Sequence, residues 1–312
     1  MGYVVSSLTN YTEENAEKVI YDQLFTGSPV LDVIKGNGNL MTGVKSAETI
    51  NIINTVPIIQ SQACSLNPSG STTFTQRTVT VGKPKIDLSW CERDLETKFT
   101  QKKMAKGGNY DGLTYLKDIT GETMASIAQK NRTAIWQGDT TSWNSDLSQY
   151  DGLIKLINAG IPGANTYSGT AWSEANARTA TKGLAALVVA DSDVYQNGNH
   201  TLKAYMSPAM AYTLRAKYLT DNLFSLVGTD AKSGMFLEGT TIPIVEDAGL
   251  AGYNYIYVIE DNNLHGATDM ENEEEKYDLW FSKDDQKIYF HTEWKFGVNV
   301  AFPSRIYSYL GV

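Results

Sequence analysis

Cysteine and histidine are scarce in this 312-residue sequence: Cys64 and Cys91 are the two cysteines, and His200, His265 and His291 the three histidines. That excludes a disulfide framework and leaves too few thiolate or imidazole ligands for a structural zinc site. Long apolar runs are missing, so no segment reaches the roughly 20 residues that span a bilayer. The opening MGYVVSSLTNYTEEN lacks the basic start and apolar centre of a signal peptide, which points to synthesis in a reducing cytoplasm. Without that signal, Asn10-Tyr11-Thr12 and Asn199-His200-Thr201 carry no weight as glycosylation acceptors, and Met1-Gly2 with Ser6 reads as a plain terminus. There is no excess of positive charge either. The net charge is -9, which opposes a dedicated role in gripping nucleic acid.

Catalytic signatures are also absent: the sequence contains no Walker loop, no HExxH and no GxSxG. Gly36-Asn37-Gly38 starts like a dinucleotide loop, but Met41 stands where the third glycine belongs. The acidic run from Asp269 to Asp278 lacks the central glycine of a calcium loop and reads as a solvated loop. No catalytic, cofactor-binding or metal-binding residue is therefore assigned.

What is present is an ordinary globular composition, 42% apolar and 20% charged, in a chain long enough for about two domains. Residues 12–26 have a helical period, with Thr12 as cap and Gly27 as stop. After them, SPVLDVIKGNGNLMTGV shows no sustained period and reads as an arm laid on another surface. From Val56 to Val81, VPIIQSQACS, a turn-rich LNPSGS and TTFTQRTVTV read as a long hairpin with neither face strongly apolar, placing Cys64 opposite about Thr73 and Cys91 near Ser46. Such a ribbon is barely stable alone and needs a partner surface. Lys85 to Phe99 reads as a strand and a short helix. Asp111 then caps a helix over residues 112–136, with Met124, Ile127, Asn131 and Ile135 on one face. Further on come a helix through Leu184 and Val188, a strand TLKAYM, a helix opened by Ser207-Pro208, and two short strands, IPIVE and NYIYVIE, suited to burial on both faces. YDLWFS, KIYFHTE and GVNVAFPS look like one antiparallel set.

The stretch WQGDTTSWNSDLSQYDGLIKLINAG, Trp136 to Gly160, and the closing FGVNVAFPSRIYSYLGV, Phe296 to Val312, resemble the spine-helix junction and the final strand of major capsid proteins of tailed double-stranded DNA phages. The resemblance implies an α+β, Hong Kong-97-type capsid fold. Its layout would be an N-terminal arm at 1–54, an extended β-hairpin loop at 55–84, a discontinuous peripheral domain at 85–136 and 271–312 with the spine helix 112–136, and an axial domain at 137–270. It further implies self-assembly into pentamers and hexamers of an icosahedral head, with inter-subunit contacts on the extended loop at Cys64, Pro68, Ser69, Gly70, Phe74 and Arg77. The implied partners are other copies of the chain, a separate scaffold protein, a portal and decoration proteins; DNA is enclosed without sequence-specific binding, and no membrane is involved. The implied location is the virion, assembled in the host bacterial cytoplasm. Some relatives join a loop lysine to an asparagine of a neighbour, but Lys83 and Lys85 lie near the hairpin base and Asn299 has no marking neighbour, so no cross-link is expected. The two-cysteine pattern resembles capsid proteins of Bacteroidetes-infecting, crAss-like phages. An encapsulin-like compartment shell and a carboxylate-based hydrolase are the competing readings.

Overall fold

The computed structural model describes residues 27–60, 69–91, 113–191, 194–195, 201–223, 235–269, 277–282 and 284–311. The expected helix at 12–26, the short helix after Cys91, and Cys64 and Pro68 lie outside these residues.

The segment expected to be an arm without regular structure opens with a helix, α1 (Pro29–Gly36), which buries Val30, Leu31 and Ile34 on one face. Proline at the first helical position suits it, because the missing N–H would be unsatisfied there anyway. A two-residue strand, β1 (Leu40–Met41), follows, and then the hairpin of β2 (Ala47–Pro57) and β3 (Gly70–Thr80). The hairpin starts nine residues before the expected Val56. Thr73 pairs with Asn54 and not with Cys64, and Ile53 pairs with Phe74. AETINIINTV carries the β-branched residues that make the outgoing strand, whereas the expected strand 56–65 contains Pro57 and polar Gln and Ser, so the ladder ends at Pro57.

Strand β4 (Lys85–Cys91) pairs antiparallel with β11 (Lys287–Glu293), which also pairs with β10 (Tyr277–Ser282). Cys91 accordingly faces Lys287 and carries a free thiol. The long helix α2 (Leu113–Gln137) lies within one residue of its expected ends, and Met124, Ile127, Asn131 and Ile135 are buried as one face. It leads into α3 (Leu153–Gly160), β5 (Thr166–Gly169), α4 (Ala177–Ala190), β6 (Leu202–Met206) and α5 (Pro208–Thr220). Ser207 caps α5, its Oγ accepting the Met210 N–H. Strands β7 (Ile244–Glu246), β8 (Tyr255–Glu260) and β9 (Leu264–Thr268) come next, and β12 (Phe296–Val300) and β13 (Tyr307–Gly311) close the chain.

One of the three strands expected to form a single antiparallel set leaves it. β12 does not join β10 and β11; it pairs with β9, whose other edge takes β1. All five of its residues are buried, because it is covered on both sides: Phe296, Val298 and Val300 face the core under α1 and α3, while Gly297 and Asn299 face β3. Only a strand inside a sandwich of layers can be buried at every position.

The C-terminal β13 likewise does not complete a sheet with residues 271–300. It sits between β5 and β8 in a five-stranded sheet of order β5-β13-β8-β6-β7, inside the segment expected to be axial. The alternating pleat divides that sheet between two cores. Ala204, Ile256, Val258, Tyr307 and Tyr309 pack under α4 and α5, while Tyr205, Tyr257 and Ile259 join Trp136 on the other side. β8 is buried on both faces, as its apolar run predicts.

Candidate assembly surfaces

The stretch from Trp136 to Gly160 is built around a backbone crossing. Ala134, Ile135 and Trp136 bury the last turn of α2 on all sides, and the chain then leaves and returns within bonding distance of itself. The Gly152 N–H donates to Gly138 O at 2.8 Å. A Cβ on Gly152 would lie 2.6 Å from Gly138 N and 2.7 Å from Trp136 O, and one on Gly138 would lie 2.5 Å from Tyr150 O. Both positions require glycine because backbone presses on backbone.

Between the two glycines the chain forms a closed loop. Asp139 N–H donates to Leu147 O at 2.8 Å, and Lys155 Nζ reaches Asp139 and Asp151, each at 2.7 Å. The Lys155 hydrogen bond, followed by those from the Thr141 side chain and backbone, holds the Asp139 carboxyl down to about 2. Burial pushes Asp151 up, but Lys155 and Thr140 outweigh it and its pKa is lowered. Trp143 stands fully exposed on this loop. Tyr150 packs edge-on against Phe296 at 5.9 Å, and Gly82 N–H bonds to Phe296 O at 2.9 Å, so the junction, the hairpin base and β12 meet at one point.

The hairpin has two unlike faces. On one, Val79 and Ile52 are buried and Ile50 is partly covered, where the base rests on the β9–β12 layer. On the other, Ile53 (60% exposed) and Phe74 (72%) form a cross-strand pair open to solvent, flanked by Asn51–Gln76 and Thr55–Thr72 hydrogen bonds. Near the tip, Val56, Ile58 and Ile59 are exposed as well.

Of the loop residues singled out from sequence, Phe74 stands on this open face. Ser69 and Gly70 lie at the far end of the described ladder, where Gln60 donates to Ser69 Oγ. Gly70 has a φ of 108°, and a Cβ there would meet Val56 O at 2.7 Å. Arg77 lies on the other face, close to its own subunit. Its Nη2 donates to Asn299 Oδ1 at 3.4 Å, and burial lowers its pKa. The Asn299 amide is buried and engaged within the chain, with Nδ2 donating to Thr78 O at 2.7 Å and Oδ1 accepting the Val300 N–H at 2.8 Å. Lys83 is exposed, and Lys85 pairs with Asp87 at 3.0 Å.

Ile53 stands out only once the register that pairs it with Phe74 is known. The alternation of Ile50 and Ile52 with Thr49, Asn51 and Ile53 was the available signal. Asp269, expected in a solvated loop, is buried and bound to Lys295 Nζ at 2.5 Å.

On the five-stranded side, Arg178 binds Glu238 through two nitrogens, at 3.0 and 2.8 Å, and reaches Asp221 at 3.1 Å, tying α4 to α5. Tyr212 and Leu219 on α5, and Phe236, are further exposed apolar side chains. Among the described residues no group of three or more metal-ligating side chains occurs, and no helix is long and apolar enough to cross a membrane. The recess between Ile86, Lys130, Asn131 and Gln149 is about 70 Å³, against roughly 300 Å³ or more for a ligand cleft.

No protein-family model and no curated protein matches the sequence. Solved structures do. A structure from Microbacterium phage Oxtober96 is similar over 92% of each chain, with a TM-score of 0.57 at 8% identity. The capsid of Myoviridae phage XM1 is similar over 90% of this chain and 92% of that one, with a TM-score of 0.55 at 14% identity. The chain has the Hong Kong-97-type capsid fold. The capsid of an empty GTA particle shares it over 90% of each chain, with a TM-score of 0.55 at 11% identity. At such identities what is common to these capsid folds is the path of the chain, which many different sets of apolar residues can satisfy.

Proposed function

We propose that this chain is the major capsid protein of a tailed double-stranded DNA phage, assembling into pentamers and hexamers of an icosahedral head. The observation that carries the reading is a capsid fold spanning about nine-tenths of the chain, joined to a hairpin that leaves Ile53 and Phe74 uncovered in the isolated subunit. Heterologous contacts of that kind close into rings and shells when repeated.

In this reading α1 and the residues before it form the arm, β2–β3 the extended loop, α2 with the β4–β11–β10 sheet the peripheral domain, and the five-stranded sheet with α4 and α5 the axial domain, to which β13 also belongs. The contact residues of the extended loop are Ser69, Gly70 and Phe74 with Ile53 added, along with Cys64 and Pro68. Arg77 braces the loop against its own subunit. A scaffold protein, a portal and decoration proteins are the further partners, and the particle forms in the host bacterial cytoplasm. The Bacteroidetes host rests on the two-cysteine pattern alone, and infection tests on such hosts with virions carrying this chain decide it.

Electron microscopy and sedimentation of the purified chain, with and without co-expressed phage proteins, provide the test. Closed megadalton shells are expected. A 34 kDa monomer under every condition overturns the reading, and shells that package enzyme in place of DNA make the chain a compartment protein.

A further inference from the structure

Asp247, the residue after β7, has no exposed surface. Its carboxylate nevertheless takes donors from three separated parts of the chain. Oδ2 accepts the Trp136 indole N–H at 2.9 Å, and Oδ1 accepts the Gly249 backbone N–H at 2.8 Å. The backbone N–H of Val30 is the third donor. Trp136 belongs to the last turn of α2, Gly249 to the single helical turn Ala248–Leu250 behind β7, and Val30 to the first turn of α1.

The third contact has a clear physical origin. The first amides of a helix have no partner within it, and a side chain at the cap position ordinarily supplies one. In α1 the cap residue Ser28 makes no such bond, although it is buried, and Pro29 has no N–H to satisfy. Asp247 therefore does the work of a cap from a different element, and its charge lies at the positive end of the α1 dipole.

The surroundings are too close for these parts to adjust independently. A Cβ on Gly249 would meet Arg132 O at 2.5 Å, and one on Gly27 would collide with the Arg132 guanidinium. Burial pushes the Asp247 carboxyl up, while Trp136, Gly249, Arg132 and Val30 pull it down. The charge is tolerated because its donors are already in place.

We propose that Asp247 is the coupling latch of the subunit, a single buried carboxylate that fixes the arm helix α1, the spine helix α2 and the axial sheet in one mutual arrangement, so that none of the three shifts without the others. Resting on the shell reading above, the latch means that a contact made by the arm on one neighbour alters how the axial sheet meets another.

The test uses Asp247→Asn in the full chain, which keeps one carbonyl acceptor and turns an NH₂ group toward the remaining donors. In the soluble subunit, hydrogen exchange of the Val30 amide, the Gly249 amide and the Trp136 indole should accelerate together, by roughly tenfold or more, because losing one of the two carboxylate acceptors opens the shared cluster and with it the donor that still has an oxygen to bind. Amides of β4 and β11 should not change. Acceleration at Gly249 alone overturns the coupling. Should Asp247→Asn fail to fold, Trp136→Phe removes one donor and leaves the carboxylate, and an unchanged Val30 amide in that variant overturns the proposal equally.

The wild type and Asp247→Asn are then assembled side by side. The variant should give fewer shells, or shells of broader size, and identical particles overturn the latch as a device of assembly. If the wild type itself forms no shells, the shell reading fails, and the exchange data still decide the coupling.

Discussion

Gly121 and Gly152 show how differently one residue type can act. Gly121 lies inside α2, where a Cβ would meet nothing within 4 Å, so Gly121→Ala should stabilise the soluble subunit by about 0.4–1 kcal/mol through the loss of unfolded-state freedom. Gly152 has an ordinary φ of -86°, yet a Cβ there lands on backbone atoms that cannot move aside. Gly152→Ala should cost about 1–3 kcal/mol, and calorimetric melting of the pair should shift in opposite directions.

Asp139 gives a residue-scale pH prediction. Its folded carboxyl, held at about 2, lies below the unfolded value near 3.9, so its contribution is complete above about pH 4 and is lost as pH falls through about 2. Asp247 has the opposite sign, since its folded pKa is raised: its contribution is complete below the unfolded value and is lost as pH rises through the folded one. The Thr141 amide resonance should titrate near pH 2, and Lys155→Met should move that titration up toward the usual carboxylate range. A wild-type midpoint near 4 would contradict the bridge.

At the scale of elements, the β2–β3 hairpin is a long ladder with only its base on its own subunit. Ribbons of two strands hold poorly without a covered face, so the open Ile53–Phe74 pair does little for the monomer. Replacing both with threonine should leave the melting of the soluble subunit within about 0.5 kcal/mol, while particle yield falls sharply. Normal assembly of that variant would show that the open face meets no neighbour. The chain should also form no covalent ladder on a denaturing gel after boiling and reduction, because the Asn299 amide is committed to Thr78 O and the Val300 N–H; bands at multiples of 34 kDa would refute this.

For the molecule as a whole, the last strand is central rather than peripheral. β13 lies between β5 and β8, Tyr307 and Tyr309 are buried, and Tyr309 stacks on Tyr167 at 6.1 Å. A chain ending after Arg305 should lose the five-stranded sheet, seen as an insoluble product or as melting without a cooperative transition. If the truncated chain melts like the full one, β13 contributes no more than an edge strand would.

Local pattern determined much of this protein in advance. The 3.6-residue period of α2, the Ser207-Pro208 start of α5, the apolar run of β8 and the glycine-marked junction before Leu153 could all be read from the chain, because each rests on contacts or conformations within a few residues. Tertiary structure alone decided the rest. The hairpin register depended on which strand faced TTFTQRTVTV, and two β-branched candidates competed for that place. The sheets joined by β12 and β13 depended on layers that cover them, formed by α1 and β3 for one and by α4 and α5 for the other. Asp247 is the extreme case: its sequence neighbours show an ordinary turn acid, and only folding brings Trp136 and Val30 to the same carboxylate.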